Sequence, residues 1–201
     1  NNLIDDRGRL LKRYRLNYAG LQPHIDDYSF FIWGLLELYQ ATFDTRFLAS
    51  ALNFSEIMIE DFLDKKNGGF FIGPNNGEKL IVRAKDSYDG AIPSGNAVAA
   101  LNFIRLSKLT GDSKWEEIAF ETFKAFSNKV YQTPSAHSFM LSAYMFGLES
   151  PKEVVIVAEQ KGLSIKKAKV FIISATIDVN PIMKISILNW EWESSIIISK
   201  R

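Results

Sequence analysis

The chain has 201 residues, of which 47% are hydrophobic and 13% aromatic, with a net charge of +1 at pH 7. This is enough for one sizeable domain, or one domain with a small appendage, around a large apolar core. The balanced charge lacks the basic face of a general nucleic-acid binder, and no apolar run approaches the ~20 residues of a membrane span.

There is no cysteine. That removes disulfides and thiolate metal sites and is compatible with a reducing, cytoplasmic setting. No signal peptide is legible. The chain opens on Asn1 rather than Met, so it is expected to be part of a longer polypeptide.

Asn1 to His24 is basic, with Arg7, Arg9, Lys12, Arg13 and Arg15 among Leu10, Leu11, Tyr14 and Leu16. The run LLKRYRL reads as a strand or a connecting arm, and a solvated connection is a simpler reading than a nucleic-acid contact. Ile25 to Thr42 reads as the first helix. Asp26 and Asp27 lie in its first turn, where acids favour the positive end of the helix dipole. Its FFIWGLLELY is apolar on nearly every side, as in a buried helix. Gly34 inside it costs about 1 kcal/mol against Ala, which predicts close packing there.

Thr45 to Leu63 is a second helix with one wet face. Phe47, Leu48, Ala51, Leu52, Ser55, Met58, Ile59 and Phe62 form its apolar stripe. Asp64 to Val82 breaks that rhythm and predicts two short strands around a Pro-Asn-Asn-Gly turn. Ser94 to Leu109 is a third helix, again apolar on most sides, with Gly111 at its C-terminal cap. Ser113 to Val130 is the fourth, and Ser113 with Glu116 forms a capping-box pattern. Thr133 and Pro134 read as the N-cap and first position of a fifth helix, which runs to about Leu148.

Helices one, three and five are thus apolar nearly all round, while two and four each have a wet face. This alternation predicts two concentric layers, as in an α/α barrel or toroid with odd helices inside. An ordinary bundle is the alternative, because five helices do not close a six-hairpin ring. After Pro151 the β-branched runs EVVIV, KVFIIS, MKISIL and SSIIIS read as strands. The expected division is a helical part over 1–150 and a small β or α/β appendage over 151–201.

The stretches IDDYSFFIWGLLELYQATFD, GGFF, LIVRAKDSYDGAIPSGNAVAALNFIRLSKLTGD and PKEVVIV together resemble the spermatogenesis-associated protein 20 family. The likeness runs from about Arg7 to Val157, with DGAIPSGN its most specific block. The resemblance implies a mainly α fold, a partial (α/α)6 barrel akin to six-hairpin glycosidases and N-acylglucosamine 2-epimerases. It also implies an upstream thioredoxin-like domain that this chain lacks. No match extends beyond about Gly162, and no catalytic assignment carries over.

The loops that open the inner helices of such a barrel frame its cavity. One loop offers Asp26, Asp27 and Tyr28. The other offers Arg83, Lys85, Asp86, Tyr88, Asp89, Ser94 and Asn96. Asp27 and Asp89 are the candidate catalytic pair, since two carboxylates across a pocket serve as acid and base on a sugar. Arg83, Ser94 and Asn96 are candidate substrate-binding groups, and Tyr28, Phe70 and Tyr88 a candidate stacking wall. Each has a plainer reading. The two acids suit the helix dipole, Ser94 an N-cap, Asp89-Gly90 a turn and Arg83 an ion pair. Gly68 and Gly69 suit backbone turning, because no phosphate-loop motif occurs. Trp33 and Trp115 read as core. His24 and His137 show no metal spacing, no nucleophile elbow is present, and no cofactor is called for.

Two functions follow. The first is a carbohydrate-related enzyme, glycosidase- or epimerase-like, with a sugar or sugar derivative in the barrel cavity; fold analogy is its warrant. The second is a non-catalytic binding or scaffold barrel coupled to the thioredoxin-like redox domain. It predicts that Asp27, Asp89 and Arg83 neutralise one another in a closed network. An open barrel side would expose inner helices and favour self-association.

Overall fold

The computed structural model describes residues 2–77 and 81–149 with their side chains, and the backbone of three strands beyond them. A short hairpin of β1 (Arg13–Arg15) and β2 (Tyr18–Gly20) precedes the helices. These are α1 (Ile25–Thr42), α2 (Thr45–Phe62), α3 (Gly95–Thr110), α4 (Ser113–Gln132) and α5 (Ser138–Leu148). A 3₁₀ turn, Pro134–His137, leads into α5. Strands β3 (Lys152–Ala158), β4 (Ala168–Ser174) and β5 (Ser186–Leu188) form an antiparallel sheet in the order β3-β4-β5. The SSIIIS run lies outside the described residues.

Short links force antiparallel hairpins. Between α1 and α2 stand only Phe43 and Asp44. Phe43 takes the left-handed conformation and returns its N–H to Tyr39 O at 2.7 Å. Asp44 then caps α2 by accepting from Arg46 N–H. Gly111, at φ 73°, and Asp112 do the same between α3 and α4. Asp112 rather than Ser113 is the N-cap of α4, because a carboxylate one residue earlier reaches the free N–H groups first. Ser113 instead bonds Glu117.

α3 is flanked by α1 and α5, while α2 packs on α1 and α4 on α3. Odd helices make one layer and even helices the other. The protein is mainly α, and this part of it is a partial α/α toroid. The interlayer core is aromatic. Phe70 stacks on Phe103 and Phe103 on Trp115, each pair with centroids 5.6 Å apart. Tyr28, Phe62 and Met58 fill the α1–α2 side and are fully buried. Burial of each such side chain contributes roughly 1.5–3 kcal/mol.

Three expectations need correction. Gly34 is not closely packed, since nothing lies within 4 Å of a Cβ placed there. The segment around Pro74 is no hairpin of regular strands. Its described part makes one bridge, Leu63 to Phe70, and scattered bonds such as Ile72 N–H to Ala84 O and Asn75 N–H to Asp61 O. Residues 78–80 lie outside the described residues. The N-terminal arm is not merely solvated, because Arg9 Nε donates to buried Asp61 at 2.8 Å. Gly68 and Gly69 do serve backbone turning, both with φ near 70°. No helix among the described residues is long and apolar enough to cross a membrane.

Candidate functional site

The N-termini of α1, α3 and α5 gather at one end of the inner layer. Asp89 Oδ1 accepts from Ser94 N–H at 2.9 Å, and Oδ2 accepts from Phe139 N–H and Met140 N–H at 2.8 and 3.0 Å. One carboxylate thus ties the start of α3 to the start of α5 through charge-assisted bonds. Asp26 brings α1 to the same place, its Oδ1 lying against Gly95. A side chain at Gly95 would collide with Asp26 Oδ1 and Ile25 Cγ2, so glycine lets α1 and α3 begin side by side.

The sequence-predicted residues are largely occupied in holding this end together. Asp27 accepts from His24 N–H at 2.7 Å, and Lys12 Nζ stands 3.9 Å from it. Tyr28 is fully buried against Phe54 and Phe62, and its hydroxyl accepts from Leu10 N–H at 3.1 Å. Burial pushes that phenol up to about 12. Asn96 is also fully buried and binds both the N–H and the carbonyl of Phe70, at 2.7 and 3.0 Å. Ser94 caps α3 by accepting from Ala97 N–H. Arg83 donates to the carbonyls of Gly73 and Asp61 and lies over the Phe71 ring. Tyr88 is exposed beside Gly90.

Tyr28 and Phe70 are therefore core, not a stacking wall, because both rings are enclosed on every side. Asp27 and Asp89 act as backbone acceptors at helix starts. Nor do Asp27, Asp89 and Arg83 neutralise one another. Each finds separate partners.

A different set of side chains shares one open face. At about 100° per residue, Asp26, Phe30, Trp33 and Glu37 align along α1. They lie opposite the stripe of Tyr28, Ile32, Leu35 and Tyr39 that enters the core. Arg105 stands on α3 opposite Phe103, which faces α4. Trp33 Nε1 donates to Glu37 Oε1 at 3.1 Å, and Arg105 Nη1 stands 3.0 Å from the same oxygen. The Trp33 ring meets Phe139 of α5 at 5.4 Å and Phe30 at 6.1 Å. Through Trp33 and Phe139, α1 also reaches α5 beside α3.

Charge on this face is tuned by burial. Desolvation pulls the Arg105 guanidinium down, and Glu37 pulls it back up. At the top of the stripe, desolvation by partial burial pushes the Asp26 carboxyl above the usual range. The Gly95 N–H opposes that shift, and the negative Asp27 and Asp86 add to it. Part of Asp26 remains open to solvent. The face thus offers flat rings with polar edges, an ion pair of buried Arg105 with exposed Glu37, and a carboxyl raised above its usual range. The signal for it was present in the sequence as the 26/30/33/37 spacing. A helix read as apolar on nearly every side concealed it.

A cavity of about 720 Å³ lies elsewhere, between α4 and α5. It touches none of these groups.

The sequence profile described as Glycosyl hydrolase family 47 matches residues 31–148. Spermatogenesis-associated protein 20 of Rattus norvegicus is 34% identical over 143 residues, covering 71% of this chain and 18% of the relative. The protein of the same name in Homo sapiens is 31% identical over 168 residues, covering 79% and 21%. That of Mus musculus is 32% identical over 143 residues, covering 71% and 18%. The chain spans about a fifth of the length of these curated relatives.

Proposed function

This chain belongs to glycosyl hydrolase family 47 and is homologous to spermatogenesis-associated protein 20, and from that premise we propose that its inner face binds a sugar or sugar derivative. The observation that carries the reading is the row Asp26, Phe30, Trp33 and Glu37 on one face of α1, joined by Arg105 of α3 and Phe139 of α5. Aromatic rings present flat apolar area at small entropic cost, and the Arg105–Glu37 pair and the Trp33 N–H supply directional polar contacts. Few polar groups on a mostly apolar lining suit a small ligand with both kinds of surface.

In this reading Asp26 is the proton-holding carboxyl. Glycoside hydrolysis needs a carboxylic acid that stays protonated beside a second, ionised carboxylate. Asp86, whose charge adds to the Asp26 shift and whose Oδ1 accepts from Ser87 and Tyr88 N–H, is the candidate for the second carboxylate. Asp27 and Asp89 keep the helix starts in place around them.

Tryptophan fluorescence titrations with neutral, N-acetylated and uronic oligosaccharides test this. Saturable quenching is expected with at least one class. Trp33→Ala should remove it, and Asp26→Asn should keep binding while abolishing any glycoside cleavage. Binding indifferent to Trp33→Ala would sink the assignment of this face. A second reading, a barrel that binds without reacting, is favoured by the engagement of Asp27 and Asp89 in caps. It predicts sugar binding with no turnover in the unaltered protein.

A further inference from the structure

The groove between α4 and α5 has no part in the sugar-binding face. Phe120, Phe123, Val130, Tyr131, Met140 and Tyr144 line it, and its volume is about 720 Å³. Its floor is the Tyr144 ring set edge-on against Phe120 and Phe123, at 6.1 and 5.2 Å. On α5 the stripe Met140, Leu141, Tyr144 and Leu148 runs at helical spacing, and Leu148 is 60% exposed. At the end of α4, Tyr131 is 88% exposed. Contiguous apolar surface of this kind marks an interaction site more often than chance exposure.

Within the repeat, α1 carries α2 on its outer side and α3 carries α4. Among the described residues no helix covers the corresponding side of α5. The groove lies along the side of α5 that no described helix covers.

We propose that a second copy of this chain covers it, in a two-fold dimer whose facing α4 and α5 helices complete each other's outer layer. The charges argue for this occupant. Glu121 and Lys124 both border the groove. They form an exposed pair on one helix, with Nζ 3.4 Å from Oε1. A two-fold axis sets a surface against itself, so each charge needs its opposite within the same patch. An adjacent acid and base meet that condition, because Glu121 of each copy can face Lys124 of the other. A one-sign rim would repel its own copy.

Sedimentation equilibrium of the full chain across the micromolar range reads the dimer directly. Glu121→Lys makes every facing pair repulsive and should weaken dimerisation at least about tenfold. The double change Glu121→Lys with Lys124→Glu restores complementarity and should return affinity to within about threefold of the original. Tyr131→Asp should leave only monomer, while Tyr18→Asp on the distant hairpin should change nothing. Unchanged thermal melting of the dilute variants would show that folding is intact. Should Tyr131→Asp fail to fold, the charge pair alone decides. A chain that stays monomeric throughout would overturn the proposal. So would a dimer indifferent to both Glu121→Lys and Tyr131→Asp, or assembly that continues past two copies.

Discussion

Asp26 and Asp27 are neighbours with opposite duties. Asp27 points back along the chain to His24 N–H. Asp26 points sideways to Gly95 and stands crowded at the top of the open face. An acid raised above its unfolded value holds its proton more tightly when folded. The penalty for ionising it is absent below the usual carboxyl value of 3.8 and grows as pH rises through the folded value. Asp26→Asn is therefore expected to stabilise the protein near neutral pH and to make no difference in acid. Urea midpoints at the two pH values check this. Gly34 gives a second residue-scale prediction. Its Cβ position is empty, so Gly34→Ala should add about 0.5–1 kcal/mol in the same urea experiment. A loss instead would mean that something packs against that surface in solution.

Single side chains join the elements. Asp89 supplies acceptors to the starts of two helices that share no hairpin. Asp89→Ala leaves three N–H groups without their carboxylate and should cost about 2 kcal/mol, with α5 fraying first in amide exchange. The loop after α2 depends on Asp64, which accepts from Lys85 Nζ at 2.8 Å and from the N–H groups of Lys66 and Asn67. Lys85 holds its carboxyl well below the usual range. The stability it contributes is full above the unfolded value and is lost as pH falls through the folded one. Asp64→Ala should cost about 1–3 kcal/mol at neutral pH, and the gap to the unaltered protein should close in strong acid. The helices themselves were legible in sequence. Ile25–Thr42 is where the acidic first turn and apolar run put α1. The stretch around Pro74 was not legible, because its backbone bonds go to distant partners. Asn75 N–H, for example, donates to Asp61 O at 2.7 Å.

At the scale of the molecule, the two layers divide the tryptophans of the described residues, Trp33 and Trp115. Trp115 is buried between the layers, stacked on Phe103. Trp33 is on the open face with Glu37 and Phe139. Trp115→Phe should lower stability by about 1–3 kcal/mol through lost packing. Trp33→Phe should leave stability nearly unchanged while dulling any ligand response. Equal effects on stability would refute the division.

Hydrophobic period and turn chemistry are local properties, and they alone determined the helices, their short links and the alternation of buried and half-wet members. The alternation was enough to separate an inner from an outer layer, since each helix must bury its apolar stripe somewhere. Which polar groups remained free was decided only by the tertiary structure. Asp27, Asp89, Ser94 and Asn96 look in sequence like side chains waiting for a ligand. In the fold Asp27, Asp89 and Ser94 satisfy backbone groups at the helix starts, and Asn96 satisfies those of Phe70 in the loop after α2. Trp33 and Arg105 look in sequence like members of an apolar helix, yet the packing of α1 on α3 brings them together at Glu37. Burying a polar group without a partner is costly, so partners are allotted by three-dimensional proximity, which spacing along the chain does not encode.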